Sequence, residues 1–579
     1  MSDTPSTANA RAEHRTAEPF AERGAIGPFA VVNQPPEFAP RDLWNGDAAL
    51  REAVVREGGE GFDATLSAYG RLAGDTLYAA SWDAHRDRPR LRTHDRFGHR
   101  IDRIEFHPAY HHVMSEAIAH GMVGLSWAPH AWKTPEWTGP LTGGHVARAA
   151  LCYLHHQVEP GSGCPLTMTH AAVPALRRMP PLREWVEKAV SGTYDPRDVP
   201  IAEKTGVTLG MGMTERQGGS DVRSNATIAA PLAGEGEYAL TGHKWFFSAP
   251  MCDGFLVLAQ APGGLTCLLM PRRLPGGEKN AFRLIRLKDK LGDWSNASSE
   301  VEFDGAWAHR VGEEGRGVAV IIEMVMLTRL DCMLGSAALM RMALIQAMHH
   351  ARHRHAFGRA LIDQPLMRNV LADLAIESEA ATAFAMRIAG AVDRAARDRH
   401  ESAFARAATA IGKYWICKRA PAFVNEAQEC LGGAGYVEES ILPRLYRQAP
   451  LNSIWEGSGN IQCLDTLRAL QREPQAMVAL RTELDAARGL HSAFDAALPA
   501  VLVRLDEALA ADAERAQAGA RRLVERLALA LQASLLLRAQ SPLADAFCRS
   551  RLGAQHGAAY GTLTENFDFA TCLARVGGE

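Results

Sequence analysis

Apolar positions recur at helical spacing over most of the chain and change to strand spacing over one central stretch. Between residues 42 and 199 the pattern is mostly helical. Residues 48–55 carry one apolar face, and Leu182, Trp185, Val186 and Ala189 share another. Segments with Pro and Gly at 133–144 and 159–165 read as breaks. Near Thr205 the period shortens. Residues 207–213 and 254–259 are continuous apolar runs and predict buried strands, while 300–304 alternates as a half-buried strand does. Glycine-rich turns at 234–236, 262–264 and 275–277 separate them. After Gly317 the helical period returns. Residues 318–357 are apolar nearly all round in their first half, which predicts a buried helix. Leu366, Val370 and Leu374 start another, Ile411 and Trp415 then Phe423 and Ala427 mark the next, and Leu527, Leu531 and Leu535 lie four apart near the end.

These elements predict an α+β multidomain protein: a flexible N-terminal arm (1–40), an N-terminal helical domain (41–204), a central antiparallel β-barrel (205–312), a C-terminal helical bundle (313–471) and an appended helical tail (472–579). With 579 residues the chain is too long for one core. A net charge of −3 gives no global field toward DNA or an anionic membrane. Ten scattered cysteines without a Cys-x-x-Cys pair predict reduced thiols in a cytoplasmic protein. No apolar run reaches transmembrane length, and the polar N-terminus lacks a secretory core.

The chemistry concentrates at Asn452-Ser-Ile-Trp-Glu-Gly-Ser-Gly-Asn-Ile461. Glu456 lies between Trp455 and Gly457, in a glycine-permitted turn that Ser458 and Asn460 carry into a helix. A carboxylate held against tryptophan loses water and gains basicity, the setting for a general base on a C–H proton. An acid placed at a helix start by the dipole is the plainer reading. Three further stretches are rich in chemistry. Met211–Asp221 is a glycine and hydroxyl loop whose freed amides suit phosphate or ring carbonyls, or which is an ordinary barrel turn. It fits neither a dinucleotide fingerprint nor a P-loop. Gly242-His-Lys-Trp-Phe-Phe-Ser248 offers an aromatic cluster for a flat ring, or a core strand. Arg354, with Phe357-Gly358 and Gln364, presents a fork suited to pyrophosphate, and Gln428 precedes the close-approach loop Gly432-Gly-Ala-Gly435. His349, His350, His353 and His355 have no carboxylate near them in sequence, so no metal site is expected.

In this order and spacing the motifs resemble the acyl-CoA dehydrogenase family of flavoproteins, most closely over residues 200–470. The resemblance rests on Met213-Thr-Glu215, Gly219-Ser-Asp221, Gly242-His-Lys-Trp245, Arg354-x-x-Phe-Gly358, Leu431-Gly-Gly-x-Gly-Tyr436 and Trp455-Glu-Gly-Ser458. Lys288-Asp-Lys-Leu-Gly292, Asn296-Ala-Ser298 and Pro443-Arg-Leu-Tyr-Arg447 bring it closer to one branch, flavoproteins of the DNA-alkylation response. The resemblance implies FAD between barrel and bundle. It assigns cofactor contacts to Met213, Thr214, Gly219, Ser220, Trp245, Phe246, Phe247, Ser248, Trp455, Gly457, Ser458 and Asn460. Phe357 and Gln428 are assigned to the cofactor as well, and Arg354, Gln364, Gly432 and Gly433 would reach FAD across an interface of a homotetramer. In some members the base sits instead in a Glu-Arg pair on the first helix after the barrel. That pair is here Thr328-Arg329, and threonine cannot act as a carboxylate base, which leaves Glu456.

The resemblance implies a short-chain acyl-CoA, or a related small acyl group, as substrate. It also implies a second role, a double-stranded-DNA-bound protective flavoprotein whose dehydrogenase activity is vestigial. The tail is where that role would act, yet residues 476–579 hold 11 Arg, no Lys and 12 acidic residues. Any basic face must therefore be local. Arg468, Arg515, Arg522 and Arg526, then Arg549 and Arg551, are its candidates, against a solvated face that packs subunits together.

Overall fold

The computed structural model describes residues 30–127 and 142–577. Most of the arm and most of the break at 133–144 lie outside the described residues. From Asn33 onward the arm is tied down. Asn33 exchanges two hydrogen bonds with the backbone of His355, and Phe38 is buried in the bundle core. The flexible reading therefore fails for 33–40, where one buried ring and one side-chain clasp outweigh a polar composition.

The N-terminal domain is built on helices Ala48–Arg56, Asp63–Ala73, Thr76–Arg86, Pro108–Ala119, Gly144–His156, Pro160–Leu176 and Arg183–Ala189. A hairpin, Arg90–His94 with Arg100–Glu105, interrupts it, against the helical expectation. The break expected at 159–165 is the start of a helix. Glu159 caps it by accepting from Ser162 N, and Pro160 occupies the first turn, where a missing N–H costs nothing.

Strands of the central domain close into a ring. Gly254–Ala261 pairs with Gly264–Pro271, which pairs with Ser298–Val311, then Glu237–Ser248, then Ile228–Pro231, which bridges back to the first strand. Most pairs are antiparallel. Leu209–Gly212 and Ile228 meet Gly254–Ala261 in parallel. Phe247, Phe255, Phe282 and Phe303 fill the interior, all buried.

The long helix Gly317–His353 joins barrel to bundle. It is buried over most of its length, as its apolar run requires, and is open only toward its ends. The N-terminal turns are partly exposed, with Ile322 at 50%, whereas every residue from Leu330 to Leu344 is buried. The first turns border the seam between barrel and bundle, and the middle is the bundle axis. Pro365–Arg394 and Arg399–Glu429 pack beside it, and Gly459–Arg472 crosses them. The tail helices Pro474–Asp485, Ser492–Ala510 and Ala513–Arg538 share one continuous apolar core with the bundle. Among the described residues no helix is long and apolar enough to cross a membrane.

Candidate active site

Residues 451–458 form a short turn that delivers the chain into helix Gly459–Arg472. Glu456 takes the left-handed backbone conformation at φ 58°, which costs a non-glycine residue about 1–3 kcal/mol. Three neighbouring side chains hold it there. Lys413, buried on helix Arg399–Glu429, donates to the carbonyls of Trp455 and Gly457, 2.6 Å each. Arg329 and Gln462 donate to Glu456 O at 3.1 and 3.0 Å. Gly457 follows at φ 92°, where a Cβ would meet Gln462 Nε2 at 2.8 Å, so glycine is required there twice over. Trp455 anchors the other end, donating to Asn452 Oδ1 at 3.0 Å while its ring packs on the barrel core.

The carboxylate faces Thr328, whose hydroxyl donates to Glu456 Oε2 at 2.6 Å. Burial pushes the Glu456 carboxyl above its usual range. The Thr328 hydroxyl, then the Lys413 and Arg329 charges, pull it partly back. The two positions between which the resemblance chooses a base thus meet in space, one carrying an acid and the other a hydroxyl aimed at it.

Across the seam the barrel loop and the aromatic strand are joined. Trp245 N donates to Thr214 O at 2.8 Å, which sets Met213 and Thr214 beside Trp245. Glu215 ties the two motifs from below. Its fully buried carboxylate receives Lys244 Nζ at 2.7 Å, Thr227 Oγ1 at 2.6 Å and Ala226 N at 2.7 Å. Gly219 packs so closely that a Cβ would lie 2.2 Å from Thr214 Oγ1, and Ser220 follows it, exposed. Lys288 Nζ sits 3.7 Å from the Trp245 ring centroid and 4.6 Å from that of Phe246. Phe246 is half exposed and Ser248 partly so.

The structure corrects several assignments. Phe247 points into the barrel core, because the strand slips register between Lys244 and Phe247, so it cannot face a ligand. Gln428 is buried and donates to Gly435 O at 2.8 Å, which shapes the Gly432–Gly433 loop from beneath. Gln364 likewise braces the hairpin of Arg354 by donating to Ala356 O. Arg551 is buried against Asp373 and Glu377, and Arg549 is held by Asp545, Gln555 and the Phe567 ring. Neither presents a free cation to phosphate. Arg468, Arg515, Arg522 and Arg526 are exposed. Phe357 is 98% exposed, and Arg354 Nη1 reaches the Asn33 carbonyl. Asn460 accepts from Arg521 Nε at 2.8 Å, which links the tail to the Glu456 turn. Sequence reasoning missed Lys413, Gln462 and the Glu215–Lys244 pair. A lone lysine inside the apolar run 407–417 was the signal for the first.

Three family profiles match the chain: the adaptive response protein AidB N-terminal domain over 33–196, and the acyl-CoA dehydrogenase middle and C-terminal domains over 210–306 and 315–471. AidB of Escherichia coli K12 is 45% identical over 555 residues, 95% of this chain and 98% of that protein. Acyl-CoA dehydrogenase family member 11 of Caenorhabditis elegans is 28% identical over 429 residues, covering 72% of this chain and 68% of the relative. The solved structure of C. elegans ACDH-11 in complex with C11-CoA superposes with a TM-score of 0.81 at 23% identity, covering 98% and 95% of the two chains. An acyl-CoA dehydrogenase complexed with FAD from Bacillus anthracis shares the fold at TM-score 0.65 and 17% identity, over 81% and 86%. By its sequence, and by the motifs that meet around Glu456, the chain belongs to the acyl-CoA dehydrogenase family of FAD-dependent oxidoreductases.

Proposed function

We propose that this protein oxidises a small acyl-CoA thioester between Cα and Cβ, with Glu456 as the base. The observation that carries the reading is a carboxylate of raised basicity, locked in a strained turn, at the seam where the Thr214–Trp245 edge of the barrel meets the bundle. The residues present fit FAD. Met213, Trp245 and Trp455 offer apolar and aromatic walls to a flat ring, with Thr214 and Ser220 as hydroxyls, and Phe246, Ser248, Ser458 and Asn460 at the margin. Arg354 suits the pyrophosphate. A Cβ built on Gly432 or Gly433 would meet nothing within 4 Å, so phosphate could approach that backbone closely.

Bound FAD supplies the acceptor for the hydride that leaves Cβ. Glu456 takes the proton from Cα on one carboxylate oxygen while the Thr328 hydroxyl donates to the other, Oε2, orienting the acid and favouring its ionised form. Lys413, Arg329 and Gln462 hold the turn still, so the acid needs no reorganisation as the proton moves. Anaerobic addition of butyryl- or isovaleryl-CoA should bleach the flavin band within seconds. A band unchanged by every thioester would defeat the proposal.

Only ionised Glu456 can accept a proton, so bleaching should accelerate as pH rises through a pKa above the ordinary carboxyl value. In Thr328→Val the hydroxyl that favours the anion is gone. The acid limb of the pH–rate profile should therefore move to higher pH, with the rate at pH 6 falling about tenfold. A limb that stays in place would mean that Thr328 does not tune the acid.

A second reading, duplex DNA binding, draws on the exposed Arg468, Arg515, Arg522 and Arg526 on two contacting helices, Gly459–Arg472 and Ala513–Arg538. Duplex affinity should then fall steeply with salt. Replacing Arg515, Arg522 and Arg526 by Gln should lower the log–log salt slope by roughly three. Affinity indifferent to salt, or a slope unmoved in that variant, would sink it. Exposed Phe357, Leu366 and Tyr436 beside the Arg354 and Gly432 loops favour cover by further copies of the chain, in the tetramer that sedimentation should report.

A further inference from the structure

The acyl-CoA reading leaves open how much acyl chain the site admits. The long helix sets the direction. Its N-terminal turns, up to Val325, border the partly exposed seam, and Thr328 faces Glu456. One turn further on lies Asp331, on the same face as Thr328. Opposite stands helix Pro160–Leu176. Every residue of that helix is buried except Thr167. Thr167 is part-buried, and its hydroxyl reaches across to the long helix, donating to Asp331 Oδ2 at 2.6 Å.

Behind this bridge sits Arg148, 2% exposed, paired through Nη1 with Asp331 Oδ1 and through Nε with Met122 O at 2.9 Å. Its Nη2 is buried without a partner among the described residues. One further turn along, the two helices meet around the His156 ring. A Cβ on Gly163 would fall 2.3 Å from His156 Nε2, and one on Gly335 would fall 3.0 Å from His156 Cδ2 and 3.2 Å from Asn452 Nδ2. No hydrocarbon passes there. Burial holds His156 and His170 below the usual imidazole range, so the charge behind the bridge is that of Arg148 and Asp331.

We propose that Thr167, Asp331 and Arg148 form the end wall of the acyl pocket and set its specificity for short acyl groups. A methyl end stopping at the wall loses nothing. A longer hydrocarbon would have to break the Thr167–Asp331 bond and lie against a buried ion pair, and both are strongly disfavoured. From Thr328 to Asp331 the helix advances about 4.5 Å, which leaves room for only a few carbons beyond the reacting pair. An eleven-carbon chain, as in the ACDH-11 complex, does not fit past this wall.

This inference rests on the acyl-CoA reading, so its test separates the two. Redox-inert thioether analogues of butyryl- and undecanoyl-CoA are titrated into the FAD-loaded protein by calorimetry. The native protein should bind the four-carbon analogue at least tenfold tighter than the eleven-carbon one. Removing one charge would strand the other in the core, so the wall is opened by the paired change Arg148→Met with Asp331→Leu, and separately by Thr167→Val. The paired variant, checked by its thermal transition and flavin spectrum, should lose or reverse the preference, with Thr167→Val between. If that variant does not fold, Thr167→Val decides alone by whether the ratio narrows at least threefold. Equal affinities in the native protein, or an unchanged ratio in the folded variants, would overturn the wall and leave the acyl-CoA reading intact. Failure of both analogues to bind would overturn both.

Discussion

Glu456→Gln should retain FAD and bind thioesters, yet lose flavin bleaching by about three to four orders of magnitude, the upper range for a general base. The amide keeps the size of the side chain and can still accept from Thr328 through its carbonyl oxygen, so the turn survives. Its backbone is held by Lys413, Arg329 and Gln462, none of which touches the carboxylate. What disappears is the basicity of the carboxylate that takes the α-proton, since an amide oxygen is far too weak a base. Rapid-mixing kinetics with the best thioester measures the rate, and the absorbance ratio at 280 and 450 nm measures FAD content. Near-native bleaching in this variant would remove Glu456 from the chemistry. Lost FAD would instead assign it a structural role. A Thr328→Glu partner change on the Glu456→Gln background offers a sharper check. The two side chains already touch, so a carboxylate at 328 reaches the same space, and partial recovery of bleaching is expected.

The large elements were legible because their patterns are periodic. Leu527, Leu531 and Leu535 all reach the core, as their spacing required. The Glu456 turn was legible because its glycines mark a turn into a helix, while the weight given to the carboxylate came from the motifs that precede it. What escaped is what distance along the chain hides. Lys413 lies 43 residues before Glu456, and Thr328 lies 128 before it. No local pattern says that their helices converge. Phe247 was misplaced because strict alternation fails at a bulge, and a bulge leaves no mark on composition. Arg551 was read as a free cation because Asp373 and Glu377, its partners, lie on a helix some 175 residues earlier. The hairpin 90–105 was missed for a different reason. It is short, largely exposed and rich in arginine, so it carries no apolar alternation to read.

Lys244→Met should destabilise the barrel by about 3–5 kcal/mol, the usual loss when one partner of a buried pair is removed. Lys244 and Glu215 are both fully buried, and among the described residues no other cation pairs with Glu215. The lysine also donates to Leu258 O at 2.7 Å, so its loss leaves a strand carbonyl unpaired as well. The consequence extends to the cofactor. Glu215 organises the loop by receiving Gln217, Ala226 and Thr227, and Thr214 is its neighbour in sequence. FAD affinity should drop at least tenfold, read by fluorescence on release, along with a lower thermal transition. The pair Lys244→Met with Glu215→Gln should recover much of the stability, because no charge remains stranded. Acid gives an independent reading. Hydrogen bonds from Lys244, Thr227 and Ala226 overcome burial and hold the Glu215 carboxyl at about 2, below its ordinary 4.5. A folded-state pKa lowered in this way stabilises the native protein above pH 4.5 and ceases to do so as pH falls toward 2. Burial draws the Lys244 ammonium down to about 8, the opposite sense for the pair, but at neutral pH it remains charged, held by two oxygens at 2.7 Å. The native barrel should therefore lose stability between pH 4.5 and 2 more steeply than the doubly substituted one. Identical acid curves for the two proteins would show that the Glu215–Lys244 pair contributes nothing to holding the barrel together.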